Sequence, residues 1–215
     1  MDMKDGERKR KYSCIDCRIG NCDSMDKQFP AFCLTKNMDE KVLDETMALY
    51  EEEENKHVTL AAANVEAEFY CKLTRVEEVV EFAKKMHYKK LGIATCVGLL
   101  KEAGIVAKIF RKKGFEVYGI ACKAGMQKKT SVGIDPKCEV VGCNMCNPIL
   151  QAKMLNHEQT DFNIVIGLCV GHDSLFTKYS NALTTTLIAK DRVLGHNPAA
   201  AIYLCETYYS KVLKD

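Results

Sequence analysis

The sequence predicts an α/β fold. It reads as a three-layer sandwich on a mostly parallel four-stranded sheet of order 2-1-3-4, preceded by a helical segment and a short N-terminal four-cysteine module. Three observations carry this reading. From residue 90 onward, short apolar runs alternate with helical periodicity, the pattern of a parallel sheet with helices on both faces. Residues 38–88 carry helical periodicity alone. Residues 12–36 hold four cysteines and Pro30 with little periodicity, so something other than an apolar core must order them. The organisation is thus a cysteine-rich module over 1–36, a helical segment packed on the sheet domain over 37–88, and an α/β domain over 89–215.

The helices come first. Asp39 is placed to cap "EKVLDETMALYEEEE", with Val42, Leu43, Met47, Leu49 and Tyr50 near one face as packing residues. A second, Ala-rich helix spans about 58–70. Thr74 followed by Glu77 is a capping-box signature ahead of "VVEFAKKMH".

The sheet region opens with "KLGIATC" at 90–96, a short buried strand. A helix over 97–113 follows, ended by Gly114. "FEVYGIAC" at 115–122 is the second strand, and a long glycine-containing loop leads to Pro148, which opens a helix to about residue 156. "FNIVIGLC" at 162–169 is the third strand, with a helix starting near Asp173. "TTTLIAK" at 184–190 is the fourth. Asn197 and Pro198 supply an N-cap and first helical residue for a terminal helix to about residue 212. Right-handed crossovers then favour the order 2-1-3-4.

Composition narrows the function classes. The net charge of +2 gives no field for nucleic acid or membrane. No run approaches the roughly 18 apolar residues of a membrane span. The charged N-terminus lacks the apolar region of a secretory signal, so the expected compartment is the cytoplasm. Thiols stay reduced there, and twelve cysteines point to metal or redox chemistry rather than disulfides. The basic run at 4–11 reads as a solvated tail. No Rossmann or P-loop glycine pattern and no GxSxG element is present.

The cysteines form two clusters. Cys14, Cys17, Cys22 and Cys33 fall within 20 residues. Four thiolates at such spacing suit zinc or an iron–sulfur cluster equally. The second cluster, Cys138-x4-Cys143-x2-Cys146, has the three-cysteine spacing of a plant-type ferredoxin, whose fourth ligand is distant. Cys96, Cys122 and Cys169 close the first three strands and so share the carboxyl rim of the sheet, where α/β folds bind ligands. The rim is therefore expected to hold an iron–sulfur cluster through Cys122, Cys138, Cys143, Cys146, Cys169 and Cys96, with zinc as the alternative metal. Loops after the third and fourth strands bring His172, His196 and Arg192 to the same rim as candidate proton carriers and an anion-binding cation. Cys71 and Cys205 are read as packing residues.

The stretches "YSCIDC", "GCNMCNP" and "IGLCVGHDSLFTKYSNALTTTLIAKDRVLGHNPAAAIY" resemble an uncharacterised family of predicted metal-binding proteins known mainly from anaerobic bacteria and archaea. The resemblance implies metal binding through cysteines in an anaerobic cytoplasm and assigns no reaction. The expected function is redox or sulfur chemistry on a small-molecule substrate or with a redox partner, of the iron–sulfur reductase or desulfidase type. The alternatives are an electron carrier or a zinc-stabilised α/β protein that binds a ligand or partner. The sequence leaves the oligomeric state open.

Overall fold

A computed structural model of the chain describes residues 12–23 and 28–214. The basic run at 4–11 lies outside them. The chain forms two compact units, divided between Leu60 and Ala61.

In the first unit the four-cysteine segment makes short turns. Ser13 and Asp16 form a capping box around the 3-10 turn Cys14–Asp16, and the Ser13 amide donates to the Asp16 carboxylate at 2.9 Å. Tyr12 stacks on Phe32 at 5.4 Å between ring centroids. Helix α1 (Glu40–Leu49) begins as expected, with the Asp39 side chain accepting from the Lys41 amide. It buries no residue: Val42, Leu43, Met47, Leu49 and Tyr50 are all exposed, which corrects their reading as packing residues. Helix α2 (Glu53–Phe69) starts five residues earlier than periodicity suggested, because the acidic run falls on its first turn and favours the helix dipole there. It buries only Ala61 and Val65.

The second unit holds the sheet. Helix α3 (Arg75–Lys85) starts at the Thr74–Glu77 capping box, and Val79, Val80 and Ala83 enter the core. Strands β1 (Lys90–Thr95), β2 (Glu116–Ala121), β3 (Phe162–Ile166) and β4 (Leu183–Ile188) form one parallel sheet in the order β2-β1-β3-β4. The order is the expected one. Strands β1 and β3 are central and nearly fully buried, which is why they read as continuous apolar runs. Helix α4 (Leu100–Lys112) crosses from β1 to β2. Helix α5 (Pro148–His157) crosses back to β3, and helix α6 (His172–Tyr179) packs against it. Since the chain reverses direction across the sheet after β2, right-handed crossovers place α4 on one face and α5 with α6 on the other.

Local chemistry fixes the register. Adding a Cβ to Gly92 on β1 would bring it within 2.0 Å of the Asn163 Oδ1 on β3. The buried Asn163 needs that space, since it accepts from the Thr160 hydroxyl and donates to Ser180 Oγ, both at 2.8 Å. Arg75 closes the outer edge of β4, donating to the Thr186 carbonyl at 3.0 Å and the Thr185 hydroxyl at 2.9 Å.

Several elements differ from expectation. The strands end at Thr95, Ala121 and Ile166, so Cys96 and Cys122 directly follow strands while Cys169 lies beyond a turn at Gly167 (φ +62). The helix after β1 opens with a 3-10 turn, Val97–Leu99. The terminal helix α7 covers only Ala199–Tyr203, starting one residue later than Pro198. It stops because the following stretch closes turns, with the Thr207 hydroxyl and the Tyr209 amide both bonded to the Leu204 carbonyl. Cys71 is exposed, at φ +56 in the turn after α2, and Cys205 is half-buried in the turn after α7. Neither lies in a helix, and Cys71 is no packing residue.

Candidate thiol sites

Two separate groups of thiols stand out. In the first unit, Cys14, Cys17, Cys22 and Cys33 all line one pocket of about 100 Å³, walled by Phe29 and Phe32. The chain reaches it through the 3-10 turns at Cys14–Asp16 and Asn21–Asp23 and the turn closed by the Cys33 amide on the Pro30 carbonyl at 2.9 Å. Desolvation pushes the Cys33 thiol up. The Lys36 amide, the Thr35 hydroxyl and amide, and the Lys36 charge outweigh it and hold the thiol below its ordinary value. A sulfur that accepts amide N–H groups is set up as a thiolate, the form that binds metals.

In the second unit the thiols gather where the strand order reverses. Cys96 follows β1, and its amide donates to the Ile166 carbonyl of β3 at 3.1 Å. It therefore sits in the crevice between β1 and β3, where an open α/β sheet binds its ligand. Cys122 follows β2 and continues the β1–β2 register by one residue, its amide donating to the Thr95 carbonyl at 2.8 Å. The Cys122 sulfur accepts from the Val97 amide at 3.4 Å. Cys146 is half-buried and packs against the core just before α5.

Cations hold two of the rim sulfurs. The Lys190 ammonium, beyond β4, donates to the Cys96 sulfur at 3.2 Å. The Arg192 guanidinium donates to the Cys169 sulfur at 2.9 Å. These contacts split the thiols electrostatically. Burial pushes Cys96 up, but the Gly98 amide, Lys190 and the Cys122 thiol together bring it below its ordinary value. Burial pushes Cys122 up to about 12; the Val97 amide opposes this, and the charges of Cys146 and Cys96 add to it. His172, half-buried on the first turn of α6, is held low by burial; Asp173 opposes this and Arg192 and Lys123 add to it.

The remaining candidates are placed differently. Cys143 is exposed and Cys138 half-buried. Their carbonyls serve the loop instead: the buried Lys129 donates its amide to Cys143 at 3.0 Å and its ammonium to Cys138. Among the described residues no hydrogen bond links either thiol to Cys96, Cys122 or Cys146. His196, at φ +67, closes the loop after β4. Its Nδ1 accepts from the Asp191 amide at 3.1 Å, and its own amide donates to the Asp191 carbonyl at 2.8 Å. Among the described residues no group of three or more His, Cys, Asp or Glu side chains is positioned to hold a metal ion.

Sequence reasoning missed two rim residues. Lys190 reads as the end of a strand, and its signal is its place at a carboxyl strand end, two residues before Arg192. Gln151 reads as an ordinary helix position. It is fully buried, and its amide bridges the carbonyls of Thr95 at 3.0 Å and Ile120 at 2.8 Å, which fixes the ends of β1 and β2 beneath the thiols. Its Oε1 has no hydrogen-bond partner.

Comparison with known proteins matches residues 33–187 to a family described as a protein of unknown function, DUF1847. An uncharacterized protein of Methanocaldococcus jannaschii is 49% identical over 185 residues, which cover 83% of this chain and 89% of that protein. The family match covers β1 to β3, most of β4 and the helices between the strands, and the chain belongs to the DUF1847 family.

Proposed function

We propose that this protein binds a metal through its N-terminal cysteines and uses the carboxyl rim of its sheet for redox or sulfur chemistry. The observation that carries the reading is the single pocket lined by Cys14, Cys17, Cys22 and Cys33. The donor set is all thiolate, which fits zinc or an iron–sulfur cluster. The segment has little core of its own, so binding energy would serve as folding energy and draw the four sulfurs into coordination.

At the rim, Cys96 and Cys122 follow neighbouring strands and Lys190 contacts Cys96, which supports reacting thiols. Small molecules with a reactive sulfur are the substrate class this chemistry suits. An iron–sulfur cluster or zinc at the rim is the competing occupant.

The test is metal and sulfide analysis of anaerobically purified protein beside the Cys17→Ser and Cys33→Ser variants. Loss of one metal site in both variants, with the sheet unit still folded, supports the reading. Unchanged metal content in both variants rejects it. Iron and sulfide that persist in both variants would place a cluster at the rim.

A further inference from the structure

Cys96 and Cys122 stand at matching positions one residue past the ends of neighbouring parallel strands. Such neighbours lie about 4.8 Å apart, inside the Cα separation of roughly 4.4–6.8 Å that a disulfide spans. Cys96 lies at the crevice between β1 and β3 where strand order reverses, so a small molecule bound there would meet it first; it is 9% exposed against 3% for Cys122. Backbone amides of the turn after β1 and the Lys190 ammonium point at these sulfurs. Electropositive surroundings of this kind mark a reactive rather than a structural cysteine.

We propose that Cys96 and Cys122 are a redox dithiol that reduces the sulfur–sulfur bond of a small disulfide or persulfide, with Cys96 attacking and Cys122 resolving. This deepens the rim reading above and rests on it. The Cys96 thiolate attacks one sulfur of R–S–S–R′, forming Cys96–S–S–R and releasing R′–S⁻. The Cys122 thiol then gives its proton to a released thiolate and attacks the Cys96 sulfur. A Cys96–Cys122 disulfide forms and R–S⁻ leaves. Two electrons pass from the dithiol to the substrate, and an external dithiol restores the protein.

The test treats full-length, anaerobically purified protein with oxidised glutathione, and separately with a small persulfide. Mass spectrometry of non-reduced peptides follows, with metal content measured on the same samples. Oxidised glutathione should give a Cys96–Cys122 disulfide in the wild type and in Cys146→Ser. Cys122→Ser should accumulate glutathione on Cys96, and Cys96→Ser should give neither product. The persulfide arm should release sulfide and give the same disulfide, and the faster arm identifies the substrate. Lys190→Met should slow attack roughly tenfold, while Lys190→Arg should recover most of it.

Modification confined to other cysteines, a Cys122–Cys146 bond in place of the expected one, or no reaction in either arm would overturn the proposal. So would loss of bound metal on substituting Cys96, since Cys96 would then be a ligand. These outcomes are separate from the N-terminal site: metal can vanish in Cys33→Ser while the rim disulfide still forms, and the reverse is equally readable.

Discussion

Substituting Gly167 by alanine tests the packing that shapes the rim. Gly167 turns the chain after β3 at φ +62, and a Cβ there would stand 2.0 Å from the Leu99 Cδ1. Leu99 is buried in the turn that follows Cys96, and the Lys190 stem lies 3.9 Å from the same point. A left-handed alanine costs about 1–2 kcal/mol. Forcing Leu99 aside in a filled core costs about 1–3 kcal/mol. The sum is about 2–5 kcal/mol, a large part of a domain's stability. The chain has no tryptophan, so urea unfolding is best followed by circular dichroism. With a slope of roughly 2 kcal/mol per molar urea, the midpoint should fall by about 1–2.5 M. The displaced Lys190 should also slow modification of Cys96. A midpoint shift below about 0.3 M would refute the reasoning, because Leu99 could not then be fixed against Gly167.

Other perturbations separate the remaining claims. Gly92→Ala should destabilise at least as strongly, because its Cβ meets the Asn163 Oδ1 at 2.0 Å and breaks a buried network; urea unfolding checks it. Gln151→Leu removes two hydrogen bonds to the ends of β1 and β2 and should cost about 1–3 kcal/mol in the same assay, with slower disulfide formation between Cys96 and Cys122. The pH profile of Cys96 alkylation should have its midpoint below the ordinary thiol value of 9.0, and Lys190→Met should move it upward. Cys122 is raised to about 12, so between 9.0 and that value the folded protein holds a proton that the unfolded chain has lost. Its contribution to stability therefore falls as pH rises through this window, and replacing Cys122 by alanine should flatten that alkaline decline.

The fold was readable because its signals are local. The capping residues Asp39 and Thr74, Pro148 at a helix start and the continuous apolar runs of β1 and β3 each act within a few residues. The strand order followed from crossover handedness. What escaped the sequence depends on distant pairs. Lys190 reaches Cys96 across 94 positions, and Gln151 spans 56 positions to Thr95. No periodicity encodes such contacts. The spacing of Cys138, Cys143 and Cys146 suggests three joint ligands; in the loop the carbonyls of Cys138 and Cys143 accept from Lys129, while Cys146 packs against the core. The short α7 escaped because side-chain and turn hydrogen bonds to the Leu204 carbonyl compete with helix continuation.

The most direct test of the central claim is quantification of zinc, iron and acid-labile sulfide, with a visible spectrum, on strictly anaerobic wild-type protein. The account predicts at least one thiolate-bound metal site per chain: colourless zinc, or a coloured cluster with iron and sulfide in equal amounts. Metal-free protein that is folded and takes up neither zinc nor iron when supplied with them would contradict it.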